Sequence, residues 1–237
     1  ARYLLIENFG NSLSVDNGII EGAALGCALD APAPVEPSNV VASDFLLDPI
    51  QPPGTNFSLL SWKLDTPAAL DGNGISDTAS ETDLDSGFAD QYFFTGSDGG
   101  MVFRSTIAGA RTSANANFTR SELREMLRRG NMRVRTRGVN ENNWLLGYQP
   151  DPGITVGGRN GMLRATLAVN RVTSTGDRNQ VGRVIIGQIH AENDEPLRLY
   201  YRKFPENERG FVYMAHEIRD ADDLYLSILG PVSSSID

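Results

Sequence analysis

From Leu59 onward the chain alternates apolar and polar residues in short runs: LLSWKL (59–64), QYFFTG (91–96), MVFRSTI (101–107), MRVRTRGV (132–139), MLRATLAV (162–169), RVIIGQIH (183–190), LRLYYRKF (197–204) and FVYMAHEI (211–218). A period of two puts successive side chains on opposite faces of a strand, so each run predicts a strand with one face toward a core. Gly, Asn, Asp or Pro bounds each run, and that spacing predicts an antiparallel sandwich or barrel over alternating β and α units. RSELREMLRR (120–129) fits a helical period as well as a strand, and its β neighbours favour the strand. Before Leu59 the pattern differs: APAPVEP (31–37) and DPIQPP (48–53) favour extended or turn backbone. Residues 1–57 are therefore expected to form an amino-terminal arm on the domain, or a linker, and 58–237 the domain itself.

Composition adds limits. At 237 residues one sizeable β domain is the default, and 40% hydrophobic with 22% charged residues is ordinary for a folded, water-facing chain. No apolar run reaches the ~18 residues of a membrane-spanning helix. Cys27 is the one cysteine, which rules out an intrachain disulfide, and no local motif supports it as a nucleophile. The net charge of −9 argues against nucleic acid as a general partner. The charge is uneven, however. Arg120, Arg124, Arg128, Arg129, Arg133, Arg135 and Arg137 stand against Glu122 and Glu125 between 120 and 137, a balance of +5 that leaves −14 elsewhere. An acidic protein with one basic strip can focus a polyanion onto that strip.

Read as a strand, RSELR (120–124) projects Arg120, Glu122 and Arg124 from one face and Ser121 and Leu123 from the other. A carboxylate between two guanidiniums can pin both and leave their outer edges to grip a planar carboxylate. Taken alone, the triplet fits an exposed salt-bridge ladder better. In RVIIGQIH, Gln188 and His190 share a face and Ile189 points the other way. An apolar strand that ends on an amide and an imidazole has stopped optimising burial there, although an isolated histidine is as often packed or exposed as catalytic.

RSELRE followed by QIH, with SWKLDTP ahead of both, resembles the alginate lyases of polysaccharide lyase family 7, over roughly residues 58–237. The resemblance implies an antiparallel β-jelly roll sandwich with a substrate groove across one sheet. It implies cleavage of alginate by β-elimination, with no required cofactor. Arg120, Gln188 and His190 would surround the uronate carboxylate, and Glu122 and Arg124 would orient Arg120 and help bind the sugar. Neutralising that carboxylate lets charge from the removed C5 proton spread onto its oxygens, and an imidazole can take the proton. The polymer's location implies a secreted or periplasmic enzyme. Ile189 leans toward guluronate-containing substrates, and the glycine-bearing segment PDPGITVGGRNG (150–161), at a groove rim, would permit end-wise cleavage. Oligomeric state is not legible.

Members of that family carry a late motif, roughly Y-x-K-x-G-x-Y, whose last tyrosine donates a proton. This chain has no match: Tyr200, Tyr201 and Lys203 fall in the strand after QIH, and no tyrosine follows Tyr225. The expectation is that the carboxy-terminal strands and that tyrosine are missing from this chain or lie in a separate fragment. A noncatalytic module gripping acidic glycan on the same sheet face is the alternative. A concanavalin-like glycoside hydrolase is a third, and it needs two carboxylates across the groove. Asp71, Asn73 and Asp77 of DGNGISD, with Glu81 nearby, are spaced like a weak calcium loop. His216 lacks a second histidine at metal-ligand spacing.

Overall fold

The computed structural model describes residues 4–7, 24–25, 47–145, 150–191, 195–218 and 220–230. Cys27, the proline-rich 31–37 and the terminal PVSSSID (231–237) lie outside them. Among the described residues the regular structure is almost wholly β, as the alternation predicts. The strands are β1 (Leu4–Glu7), β2 (Ala24–Leu25), β3 (Trp62–Asp65), β4 (Thr78–Ala79), β5 (Phe93–Thr95), β6 (Met101–Phe103), β7 (Glu122–Glu125), β8 (Trp144–Leu145), β9 (Gly158–Arg159), β10 (Met162–Ala165), β11 (Arg183–Ile189), β12 (Leu197–Arg202), β13 (Phe211–His216) and β14 (Leu224–Leu229). Two one-turn helices, α1 (Pro53–Asn56) and α2 (Glu81–Asp85), interrupt them.

Two sheets carry the site. In the first, β3 lies between β4 and β7, antiparallel to both. In the second, β11, β12, β13 and β14 form an antiparallel meander, with irregularities between Ile185 and Gly187 and between Val212 and Tyr213. β1 pairs with β10 in antiparallel register, so the start of the chain is stitched to a strand far along it.

Alternation on β3 and β7 builds the main core. Leu64 and Leu123 are cross-strand partners, and both enter a cluster with Leu59, Ala79, Leu84, Phe93 and Met101. Leu84 comes from α2, a turn the strand pattern did not predict. Its start is fixed by a capping box: Ser80 Oγ accepts from the Asp83 amide at 3.3 Å, and the Asp83 carboxylate accepts from the Ser80 amide at 2.9 Å. Two orphan amides at the helix start are thereby satisfied. The Ser80 hydroxyl also donates to the Asp83 carboxylate at 2.6 Å, and this bond first, with the Ser80 amide second, holds the Asp83 carboxyl below its ordinary range.

One predicted strand is absent. MRVRTRGV (132–139) runs through turns and bends, with Met132 68% and Val139 53% exposed. The alternation is real, but no partner strand meets it. Instead the Arg128 guanidinium reaches into the loop and donates to the Val134 carbonyl at 3.1 Å, an oxygen that a ladder would use. Left-handed backbone at Arg129, Gly130 and Gly138 bends the segment at both ends.

Candidate active site

The face of β3 and β7 opposite the core is polar throughout. Across the pair, Asp65 lies opposite Glu122 and Lys63 opposite Arg124. Lys63 Nζ sits 2.7 Å from Asp65 Oδ1, and Thr78 on β4 donates to the same oxygen at 2.8 Å. Arg120 donates through a terminal nitrogen to Glu122 Oε2 at 2.8 Å. Gln188 on β11 donates from Nε2 to Glu122 Oε1 at 3.2 Å. Glu122 is only 2% exposed, and each of its oxygens receives one of these donors. A buried carboxylate between a cation and an amide is held in one orientation, and it holds both partners in turn.

Ile189, next along β11, turns the other way and packs against Trp62, Trp144, Leu163 and Leu197. This anchor fixes the strand end on which His190 sits, on the same side as Gln188 by alternation. His190 Nδ1 lies 2.7 Å from the Ala191 carbonyl oxygen. A carbonyl only accepts, so Nδ1 carries the hydrogen, and in the neutral ring Nε2 keeps the lone pair. Nε2 lies 3.3 Å from Glu195 Oε1.

Beneath this face, Trp144 Nε1 donates to Glu125 Oε2 at 2.6 Å. Burial raises the Glu125 carboxyl above its ordinary range, and the indole bond only partly offsets it. Gly158 crosses the Trp144 ring so closely that an added Cβ would meet it at 2.2 Å. This part of the 150–161 segment is packed on the body of the domain through β8 and β9.

Arg120, Glu122 and Gln188 thus form one hydrogen-bonded chain across two strands, with His190 one strand step beyond Gln188 and Arg124 one step beyond Glu122. Lys63, Asp65, Thr78 and Glu195 are additions. SWKLDTP carried a legible signal for two of them, since alternation around core-facing Trp62 and Leu64 already puts Lys63 and Asp65 on the polar face. Glu195 lies just before β12, with its amide donating to Glu217 Oε2 at 2.8 Å, and no periodicity could have flagged it. On β12, Arg198 lies opposite Gln188 and pairs with Asp223. Tyr200 and Tyr213 stack with ring centroids 4.9 Å apart, and burial lifts both phenols above their ordinary range.

The calcium candidates serve their own turn. Asp71 accepts from the Asn73 amide, Asn73 from the Ile75 amide and Asp77 from the Leu70 amide. Among the described residues no group of three or more His, Cys, Asp or Glu side chains converges as for a metal. No helix among them is long and apolar enough to cross a membrane. His216 places Nδ1 2.7 Å from the Pro196 carbonyl.

The family model described as alginate lyase matches residues 57–232. The chain belongs to the alginate lyase family. An alginate lyase of Klebsiella pneumoniae is 50% identical over 187 residues, covering 77% of this chain and 61% of that protein. The chain therefore spans about three fifths of that relative's length. The crystal structure of the alginate lyase from Klebsiella pneumoniae superposes with a TM-score of 0.71 at 45% identity, covering 77% of this chain and 66% of that one. A family 7 alginate lyase solved in complex with substrate (GGMG) shares 23% identity at a TM-score of 0.50, over 77% of this chain and 66% of that one. The fold is the family's β-jelly roll.

Proposed function

We propose that this chain cleaves alginate by β-elimination on the face formed by β3, β7 and β11. The observation that carries the reading is Glu122, buried and shared between Arg120 and Gln188. Two of the three positions expected to hold a uronate carboxylate are thereby linked into one unit, with His190 two residues beyond Gln188. The family and the 50% identical alginate lyase support the substrate class.

Arg120, Gln188 and His190 bind the carboxylate of the sugar to be cleaved, with Glu122 positioning the first two and Arg124 adding charge beside them. Withdrawing negative charge from that carboxylate stabilises the anion formed when the C5 proton leaves. His190 Nε2 takes this proton, and substrate displaces Glu195 from that nitrogen. The C5–H and C4–O bonds break, C4 and C5 become doubly bonded, and the departing oxygen takes up a proton from solvent, to which His190 returns the one it took. No water is consumed, and the residues named need no metal or cofactor. The substrate is guluronate-containing, on the association of Ile189 in QIH with such polymers, and short products leave from chain ends. The enzyme works where the polymer is, in the periplasm or outside the cell.

Incubation with alginate under ultraviolet detection tests this directly. Absorbance of the unsaturated uronate should rise. Binding without a rise would mean a glycan-binding module, and new reducing ends without a rise would mean a hydrolase. Comparing polyguluronate with polymannuronate, and following product length with time, tests the substrate and the cleavage mode.

A further inference from the structure

Five of the seven arginines between 120 and 137 have no part in the site above, and of these Arg128 is paired with Glu81. Arg129, Arg133, Arg135 and Arg137 are all exposed on the loop after β7, and among the described residues none of them forms an ion pair. Four like charges within nine residues repel one another, and nothing in folding calls for them on a chain of net charge −9.

The loop that carries them is built, not loose. Arg128 is its hub: Nε meets Glu81 Oε1 at 2.5 Å, a terminal nitrogen meets Oε2 at 3.2 Å, and the backbone amide donates to Asn142 Oδ1 at 3.1 Å. Asn140 donates to the Arg137 carbonyl at 2.8 Å, Asn143 to the Gly138 carbonyl at 2.6 Å, and Asn131 accepts from the Arg133 amide at 3.2 Å. Side-chain amides thus tie down the backbone while the guanidiniums point to solvent. Only Glu141, also exposed, offsets them within the loop. Arg129 follows Arg124 by five residues, so the basic loop begins within about 17 Å of the polar face.

We infer that this loop is a second polyanion site, separate from the cleavage site, which holds a further stretch of the same carboxylated polysaccharide while one uronate is cut. The choice of polymer rests on the function proposed above; the existence of the site does not. Guanidiniums suit carboxylates, and an array of them held by a fixed backbone loses less freedom on binding than a mobile tail.

The test uses the full chain carrying His190→Ala, so that polymer stays intact, with and without R133Q/R135Q/R137Q. Labelled alginate polymer, labelled alginate trisaccharide and a DNA duplex are titrated in turn. Removing the three arginines should weaken polymer binding about tenfold at low salt and flatten its salt dependence. Trisaccharide affinity should stay unchanged, and R133K/R135K/R137K should recover most of the polymer binding. Unchanged polymer affinity overturns the inference. So does equal weakening toward the trisaccharide, which would put these arginines in the cleavage site. Duplex DNA bound as tightly through the same arginines would also overturn it, showing an unselective basic patch. Arginine-dependent polymer binding by a wild-type chain that makes no unsaturated ends would refute the lyase function and leave this site standing.

Discussion

Gln188 on β11 and Glu122 on β7, 66 positions apart in the chain, are joined by a hydrogen bond of 3.2 Å. The bond ties the two motifs that carry the chemistry, and Arg120 completes it from the other carboxylate oxygen. Replacing Glu122 with Gln keeps the shape and removes the charge. One amide end must then present a donor to Arg120 or to Gln188, both of which donate already. Misplacing these groups should lower kcat/KM on alginate about a hundredfold. Steady-state rates by ultraviolet absorbance check this, and wild-type rates would show that Glu122 positions nothing.

Adjacent residues at the end of β11 should separate stability from turnover. Ile189→Ala removes a buried side chain from contact with Trp62 and Trp144 and should cost about 2–5 kcal/mol of stability. His190→Ala should leave the unfolding midpoint nearly unchanged while abolishing turnover, because the ring sits half-buried at the strand end. Denaturant melts paired with rates distinguish the two, and a His190→Ala variant with normal rates would remove the imidazole from the mechanism.

The Arg128–Glu81 pair should be a stability determinant with an acid limit. Burial pushes the Glu81 carboxyl up most strongly, but the hydrogen bond and charge of Arg128, with backbone donors, outweigh it and leave the carboxyl lowered. The unfolded chain then binds the proton more readily, so this stabilisation is complete above the ordinary carboxylate value of about 4.3 and fades as pH falls through the lower folded value. Glu81→Ala strands a buried guanidinium and should cost about 3–5 kcal/mol near neutral pH. Melts across acid pH should show that cost shrinking; a cost independent of pH would mean that packing dominates.

Glu125 has the opposite sign. Its carboxyl is raised by burial, so the folded state binds the proton more readily, and stability falls as pH rises from about 4.3 through the folded value. Glu125→Gln retains an oxygen for the Trp144 indole and removes the charge. It should raise the unfolding midpoint near neutral pH, with the gain vanishing in acid. A lower midpoint at neutrality would contradict this.

How much of this was legible depended on whether the cause was local. Trp62, Leu64, Leu123 and Ile189 take the inward positions that a period of two assigns them, so the strands and the outward Arg120, Glu122, Gln188 and His190 followed from sequence. Lys63 and Asp65 obey the same rule, but nothing in SWKLDTP by itself marks their side chains for chemistry. MRVRTRGV obeyed it too and still forms a loop, because Arg128 is drawn to Glu81, 47 residues away, and alternation carries no sign of so distant a partner. α2 carries a weak sequence signal, because its capping box uses aspartate where glutamate is the commoner residue.

The central claim is elimination, and the masses of the products read it directly. After incubation of the chain with alginate, mass spectrometry should find oligosaccharides whose new non-reducing ends are one water lighter than hydrolysis would leave. Fragments at the full hydrolytic mass, or polymer left uncut, would contradict the account.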